Sequence, residues 1–468
     1  MRKEFYENIA HTKPEIAHRL YNKLIQRYFR FFIPEGARVL EIGCGIGDLL
    51  AAVNPAYGVG IDFSPTMIQL ATSRHPEHTF IEANAESFQS EDHFDYIVLS
   101  DLVNDLEDVQ QVLENVKSFA HSRTRIIVNF FNDFWRPILY LAVSRGWKSP
   151  TPKNQNWLSI ADIENMLSLS GWEKVKSDNK ILIPVNLGFV SDLVNRWFAP
   201  LPLVRSLALS KFIVARPTHV AMWEIGNRAF SCTVVIPSRN EAGNIEHAVK
   251  RTPEMGIGTE IIFIEGGSSD NTWDEICRVQ KAYPEKNIKS MRQSGKGKGN
   301  AVREAFAKAT GDILFILDAD LTVPPEELPK FYETARKGHA DFVNGVRLVY
   351  PMEAQAMRFF NMLGNMFFSR SFTWLLGQRI KDTLCGTKVL FREDYQKIAA
   401  NRKYFGDFDP FGDFDLLFGA SKLNLKIVDL PIRYKARTYG DTNIDRWKHG
   451  AILIRMLVFA ARRLKFIK

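Results

Sequence analysis

The sequence predicts an α/β protein made of two consecutive units that each alternate strands and helices. Three observations carry that reading. The chain has 468 residues; ARVLEIGCGIGDLL (residues 37–50) reads as a buried strand running into closely spaced glycines; and a second strand-and-loop series opens at CTVVIPSRNE and reaches ILFILDADL. A single hydrophobic core usually stops growing well below this length, so at least two domains are expected.

The composition, 46% apolar and 24% charged, is that of folded globular domains, and no low-complexity run argues for extended disorder. The four cysteines, Cys44, Cys232, Cys277 and Cys385, are widely separated. Such spacing disfavours a disulfide scaffold and a structural zinc site, and it fits reduced thiols in a cytoplasm. The first twenty residues carry acids and no apolar core, so they do not read as a signal peptide.

In the first unit, Val39, Leu40 and Ile42 form the strand, and Gly43, Gly45 and Gly47 follow before a helical pattern. Glycines at such a turn permit positive φ and let backbone N–H groups approach a ligand closely. A second strand, YGVGID, ends at Asp62, where a carboxylate can accept both hydrogens of a ribose diol. Alone, this pattern also fits a dinucleotide oxidoreductase or a simple packing turn. TFIEANAESF and FDYIVLSDLVNDL add further strand-loop segments, with Asn84, Glu86, Asp95 and Ser100 near strand ends.

LEIGCGIG, Asp62, ANAESF and FDYIVLSDLVNDL together resemble the class I S-adenosylmethionine-dependent methyltransferases, over about residues 37–130 and more weakly to 220. The resemblance implies a Rossmann-like domain in which Gly43, Gly45 and Gly47 surround the amino-acid part of S-adenosylmethionine. Asp62 would take the ribose hydroxyls, and Asn84 and Ala85 would lie beside the adenine. The family often has Asp where this chain has Asn84. Asp101, Asn104 and Asp105 either border the acceptor site or form a solvated loop.

Residues 184–216 are strongly apolar but interrupted by Asp192, Arg196, Arg205 and Lys211, too broken for a membrane span. A cap over the acceptor, a lipid-touching surface and a bundled core all fit. The predicted boundaries are a methyltransferase-like domain over 1–220, a linker over 221–230, a second α/β domain over 231–436 and a basic amphipathic extension over 437–468.

The second domain opens with a strand over Thr233–Ile236, stopped by Pro237, and a helix after Arg239. TEIIFIEGGSSDNT gives another strand ending at Glu265. RQSGKGKGNAVREAF places Gly295, Gly297 and Gly299 among Lys296, Lys298 and Arg303, a loop able to hold an anion. It lacks the Walker A spacing, which excludes a P-loop ATPase. In ILFILDADL, Asp318 and Asp320 stand two apart at a strand exit. A divalent cation held there would bridge diphosphate oxygens.

VVIPSRNE, IEGGSSDNT, GKGKGNAVREAF, LDADL, IKDTLCGTKVLFR, FGDFDLLF and YKARTYGDTN resemble, as an ordered series, the family 2 glycosyltransferases, especially dolichyl-phosphate mannose synthase-like enzymes. The resemblance implies a GT-A type fold in which Pro237, Arg239, Glu241, Glu265 and Asp270 frame the nucleotide. Asp318 and Asp320 would serve Mg²⁺ or Mn²⁺, ribose and diphosphate, and Arg437 would face the acceptor phosphate or the leaving diphosphate. The chain departs from the common VDDGSxD pattern at Gly266, which removes a carboxylate, while Glu265 keeps the acidic position before it. GDFD supplies Asp413 and Asp415, where relatives often have longer acids; either is the base candidate for a hydroxyl acceptor. An ionised lipid phosphate needs alignment and charge compensation instead, for which Lys388 and Arg437 are candidates unless they form surface salt bridges.

From Arg437 to the C-terminus there are eight Lys/Arg and two Asp beside apolar helical sequence. No nucleic-acid motif accompanies that charge, so an interfacial helix on an anionic membrane is expected, its apolar side including Trp447, Ile452, Leu453, Met456, Leu457 and Phe459; a core helix is the other reading, because arginine can extend its stem across apolar surface. The sum is a bifunctional enzyme, cytoplasmic and peripheral at the membrane face. It would transfer sugar from a nucleotide diphosphate donor to a polyprenyl phosphate with inversion and methylate a separate acceptor. A soluble saccharide or protein acceptor, or a membrane-associated binding scaffold, remain the other readings.

Overall fold

The computed structural model describes residues 16–146, 155–218, 228–350, 359–404, 412–435, 437, 439 and 446–467; the side chains of 16–18, 359–363, 413 and 446–449 are outside that description. The chain divides into two compact units, Met1–Ala221 with Lys465–Lys468, and Met222–Leu464. Each is built around one seven-stranded sheet.

In the first unit the strands are β1 (Arg38–Ile42), β2 (Tyr57–Asp62), β3 (Thr79–Glu82), β4 (Phe94–Ser100), β5 (Ala120–Phe131), β6 (Trp172–Lys180) and β7 (Ser210–Pro217). Their spatial order is β3-β2-β1-β4-β5-β7-β6, with β7 antiparallel to both its neighbours and the other pairings parallel. Val39, Leu40, Ile97, Leu99, Ile126 and Ile213 are fully buried, as expected for continuous apolar runs covered on both faces. The chain runs outward from β1 to β3 and returns on the other side at β4. This reversal opens a crevice beyond the C-terminal ends of β1 and β4, the usual ligand position in such sheets.

The end of the apolar stretch 184–216 is neither helix nor bundle: it is β7, a fully buried strand. Two cations within this strand, Lys211 and Arg216, are accommodated by acids. Lys211 Nζ pairs with Asp133 Oδ1 at 2.9 Å, and Arg216 Nε donates to Glu173 Oε1 at 2.7 Å. Before β7 the chain forms three short helical turns, Phe189–Leu193, Val194–Phe198 and Arg205–Leu207.

The second unit contains β8 (Cys232–Ser238), β9 (Thr259–Glu265), β10 (Asn287–Arg292), β11 (Ile313–Ile316), β12 (Phe342–Val346), β13 (Lys388–Phe391) and β14 (Ile427–Pro431), in the order β10-β9-β8-β11-β13-β12-β14. β13 runs antiparallel between β11 and β12. Val234, Ile236, Phe263, Phe315 and Leu317 form the centre of its core. Pro237 does not stop β8 as expected. The β11 pairing ends at Val235, so Pro237 sits where only β9 flanks the strand and its missing N–H breaks no ladder. The reversal here lies between β8 and β11, and it brings Pro237–Glu241 and Leu317–Asp320 to one edge.

Among the described residues no helix is long and apolar enough to cross a membrane. The final helix, Arg446–Leu464, packs on the helix Phe359–Leu376. It buries Leu453, Met456, Ala460 and Leu464, so Leu453 and Met456 belong to the core rather than to the expected lipid-facing side. Its outward face carries Ala451, Ile454, Arg455, Val458 and Arg462. The side chain of Trp447 lies outside the described residues.

Candidate functional sites

In the first unit the turn after β1 depends on left-handed backbone at Gly43 (φ 71°), Gly45 (φ 51°) and Gly47 (φ 77°). A Cβ on Gly43 would come 2.7 Å from Leu102 Cδ1, and one on Gly47 would come 2.6 Å from Phe80. At Gly45 the corresponding space is open, leaving a cradle of backbone that a ligand can approach. Asp62, at the end of β2, crosses to this turn: Oδ2 accepts from Gly45 N at 3.0 Å and Oδ1 from Ser64 N at 2.9 Å. Burial raises the Asp62 carboxyl above its usual range, and these N–H donors oppose that rise. Each oxygen keeps a second lone pair, so the pair of hydroxyls of a ribose can still be accepted.

Asn84 and Ala85 form the turn after β3, which is tied to Asp62 through Ala83 N and Asp62 O at 3.0 Å. Asn84 Oδ1 accepts from Glu86 N, and Ala85 O accepts from Asn115 Nδ2. Two further groups were not singled out from the sequence. Glu41 lies inside β1, 3% exposed, with its pKa driven well up by burial and by the Asp62 and Asp48 charges; its Oε2 has no hydrogen-bond partner among the described residues. An acid inside an otherwise apolar strand was the available signal. Tyr21, on the helix Ile16–Phe32, donates to the Asp101 carboxylate at 2.9–3.0 Å, and Asn129 Nδ2 donates to Asp101 Oδ1 at 2.7 Å. Asp101 itself has φ 52°, an uncommon backbone for a residue with a Cβ. Asn104 is buried and donates to Asn156 O, while Asp105 Oδ1 accepts from Gln155 Nε2.

In the second unit the loops after β8 and β9 are latched together. Asn240, with φ 57°, donates its N–H to Ser268 Oγ, and its Oδ1 accepts from Ser269 N. Pro237 is half-buried and Arg239 exposed beside this latch. Glu265, buried at the end of β9, accepts from Ser268 N, so its carboxylate caps the loop containing Gly266 and Gly267. Asp270 Oδ1 accepts from Thr272 N at 3.0 Å and from the Thr272 hydroxyl, and Oδ2 accepts from Ala242 N. Against the burial that would raise it, these donors hold Asp270 below the usual carboxylate range.

Around the β8–β11 reversal, carboxylates and cations interlock. Lys298 opens the helix Lys298–Lys308, and its Nζ lies 2.7 Å from Asp318 Oδ1. Burial would raise Asp318, but Lys298 first and then Lys388 and Arg347 outweigh it and hold the carboxyl low. Lys388 is fully buried in β13 and donates to Cys385 O, so it is not a surface salt bridge. Arg437 bridges two acids: Nη2 to Asp320 Oδ2 at 2.7 Å and Nη1 to Glu241 Oε1 at 3.4 Å. Asp320 Oδ1 also accepts from Thr322 Oγ1 at 2.9 Å, and Glu241 Oε2 from Asn244 Nδ2 at 2.7 Å.

Asp415 lies on the helix Asp413–Lys422, 2% exposed, with Arg303 at 3.2 Å and Arg402 at 3.1 Å. The Asp413 side chain lies outside the described residues. Gly386 and the Arg347–Asp382 pair were not singled out from the sequence. A Cβ on Gly386 would run into Asp318 Oδ2 and come within 2.6 Å of Lys298 Nζ. Arg347 grips buried Asp382 through two side-chain bonds at 2.7 and 2.9 Å. Among the described residues no three His, Cys, Asp or Glu side chains gather in metal-binding geometry.

Residues 33–178 match the family model described as a methyltransferase domain, and residues 233–398 match that for glycosyl transferase family 2. The chain is similar to a dolichol-phosphate mannosyltransferase of Pyrococcus furiosus, 29% identical over 45% of this chain and 58% of the relative. It is also similar to glycosyltransferase AglJ of Haloferax volcanii, 29% identical over 49% of this chain and 71% of that protein. The chain thus spans little more than half the length of the Pyrococcus relative. A solved structure of an S-adenosylmethionine-dependent methyltransferase from Thermotoga maritima is 16% identical, covering 46% of this chain and 94% of that one with a TM-score of 0.34. The family matches fall on the two segments whose motifs carried the resemblances, and the chain therefore joins an N-terminal methyltransferase domain to a C-terminal family 2 glycosyltransferase domain.

Proposed function

We propose that the second domain transfers a sugar, with inversion, from a nucleotide diphosphate donor to a polyprenyl phosphate, and that the first methylates a separate acceptor using S-adenosylmethionine. The observation that carries the sugar-transfer reading is the convergence of Asp318, Asp320 and Glu241 with Lys298, Lys388 and Arg437 at one sheet edge. Such a set handles an anionic leaving group and an anionic nucleophile together.

Asp318 and Asp320 offer the hard oxygen ligands that Mg²⁺ or Mn²⁺ prefers, and two carboxylates completed by substrate phosphates are a usual magnesium arrangement. The ion, when bound, neutralises diphosphate charge as the nucleotide leaves. Pro237, Arg239, Glu241, Glu265 and Asp270 frame the nucleotide on the latched loops. Lys298 balances the Asp318 charge and faces the donor phosphates, while Lys388 supplies fixed positive potential from within β13. Arg437, now shared by Asp320 and Glu241, turns its guanidinium to the acceptor phosphate or the departing diphosphate. A lipid phosphate is already ionised, so the residues need only align it for in-line attack at the anomeric carbon. The buried double ion pair of Asp415 suits positioning of the helix Asp413–Lys422, which leaves Asp413 as the base candidate for a hydroxyl acceptor.

In the first domain, the open backbone at Gly45 and the two-oxygen reach of Asp62 fit the amino-acid and ribose parts of S-adenosylmethionine. Gly43 and Gly47 shape the same turn, and Asn84 and Ala85 supply the adenine side. S-adenosylmethionine supplies a methyl group on a positive sulfonium; the chain's work is alignment and exclusion of water.

The outward face of the last helix, with Ile454, Val458, Arg455 and Arg462, suits an anionic membrane surface, where apolar and basic groups share one interface. This placement is peripheral, at the cytoplasmic face. Comparing turnover with long-chain polyprenyl phosphate in anionic vesicles and with a short soluble phosphate acceptor tests the reading. Arg455→Glu is expected to lose more activity on the long-chain acceptor; equal losses with unchanged vesicle binding would contradict it.

A further inference from the structure

The first unit carries an unusual surface beside its proposed cofactor crevice. Two excursions leave the sheet at the same edge as the Gly43–Gly47 turn. One follows the end of β5 as the helix Arg136–Ser144; the other spans residues 181–209 between β6 and β7. The register fixes this common edge, because Phe131 pairs with Ser210, Ser210 with Lys180, and Ser100 with Asn129. The two excursions touch: Trp135 Nε1 donates to Leu207 O at 2.7 Å, and Asn132 Nδ2 to Ser206 O and Ala208 O at 2.9 Å.

Both excursions turn large apolar side chains outward. Leu203 is 91% exposed and Phe189 75%, and Phe134, Tyr140, Leu141 and Trp197 are also exposed. Scattered exposed apolar residues are ordinary, but a concentration of them on two segments that touch marks an interaction surface. Its charges identify the partner. Arg136 and Arg145 are exposed and Arg196 and Arg205 half-buried on these segments, against exposed Asp133 and Asp192, and Asp133 is already paired with Lys211. Aromatic and apolar side chains with an excess of arginine are the chemistry of the interface of an anionic bilayer.

We propose that this edge of the methyltransferase unit docks on an anionic lipid bilayer, so that the acceptor methylated in the adjoining crevice is a bilayer-borne molecule. The acceptor class rests on the methyl-transfer reading above; the docking does not. Docking would place the crevice mouth at the headgroup level, and an acceptor anchored in lipid would reach it without leaving the membrane.

The test uses the full chain carrying Leu203→Cys in a Cys277→Ser background, since the other three cysteines are buried. An environment-sensitive fluorophore on the new thiol is expected to shift to the blue with mixed phosphatidylcholine–phosphatidylglycerol vesicles, and less with phosphatidylcholine alone. In the otherwise natural chain, Phe189→Glu with Leu203→Glu is expected to weaken vesicle partitioning about tenfold or more, given the usual value of burying two such side chains. S-adenosylmethionine affinity, measured by calorimetry, should be unchanged in that variant. No fluorophore shift, or a shift that follows protein concentration without vesicles and so assigns the patch to a second copy of the chain, overturns the docking. Absence of S-adenosylmethionine binding in the natural chain would instead remove the methyl-transfer reading, and the acceptor class with it, while the fluorophore still decides the docking.

Discussion

Lys298 and Asp318 form an ion pair at 2.7 Å that is closed on its far side by Gly386. No side chain larger than hydrogen fits at that glycine without moving one of the two charged groups. Gly386→Ala is therefore expected to displace the Asp318 carboxylate and lower the sugar-transfer rate about a hundredfold, since small misplacements at a reacting centre carry costs of that order. A thermal melt close to that of the natural protein, together with the rate loss, is the expected pair of results.

Arg437 holds Asp320 and Glu241 at once. Arg437→Ala removes that cation, and we expect sugar transfer to fall by about two orders of magnitude, as for loss of one preorganised charge-stabilising group. Arg437→Lys keeps the charge but not the two-pronged geometry, and should recover only part of the rate. Full recovery by lysine would reduce the role of Arg437 to bulk potential.

Asp62→Ala is expected to weaken S-adenosylmethionine binding about tenfold or more, because charge-assisted bonds to the ribose are lost, while sugar transfer is spared. Calorimetry with the cofactor reads the first effect, and unchanged affinity would remove Asp62 from that site.

Asp382 is fully buried against Arg347, which outweighs the effect of burial and holds the carboxyl below its usual range. A depressed carboxyl pKa contributes stability that is complete above the unfolded value, about 4, and is lost as pH falls through the folded one. Asp382→Asn leaves Arg347 buried without its counter-charge and should cost about 3–5 kcal/mol at pH 7. The gap from the natural protein should narrow as denaturant titrations move down in pH below about 4. A constant gap would show that the ion pair is not its source.

The parts of the fold written in short-range pattern were legible in the sequence. Val39–Ile42 followed by three glycines, and the run before Asp318, announce strand ends wherever they occur. The site partners were not, because they come from distant segments: Gly386 meets Asp318, Arg437 meets Glu241, and Tyr21 meets Asp101 only after the sheets assemble. Asp415 shows the same limit, since nothing near GDFD signals that Arg303 and Arg402 close on it. Pro237 reads as a strand stop in the sequence because only the assembled sheet shows which side of β8 is unpaired at that residue. For the last helix, apolar periodicity located a buried stripe but could not say that Leu453 and Met456 would be taken by a neighbouring helix.

The central claim, two separate transferase sites on one chain, is tested most directly by one mass-spectrometric comparison. The natural protein, Asp62→Ala and Asp320→Asn are incubated with a panel of nucleotide sugars, polyprenyl phosphate, cell lipid extract, labelled S-adenosylmethionine and limiting Mg²⁺ or Mn²⁺. The account predicts two mass changes with the natural protein, a sugar on the polyprenyl phosphate and a labelled methyl group on an acceptor. Asp320→Asn should lose only the first, because a hard divalent ion is deprived of a carboxylate, and Asp62→Ala only the second. Full sugar transfer by Asp320→Asn at limiting metal, or loss of both products together in either variant, would contradict it.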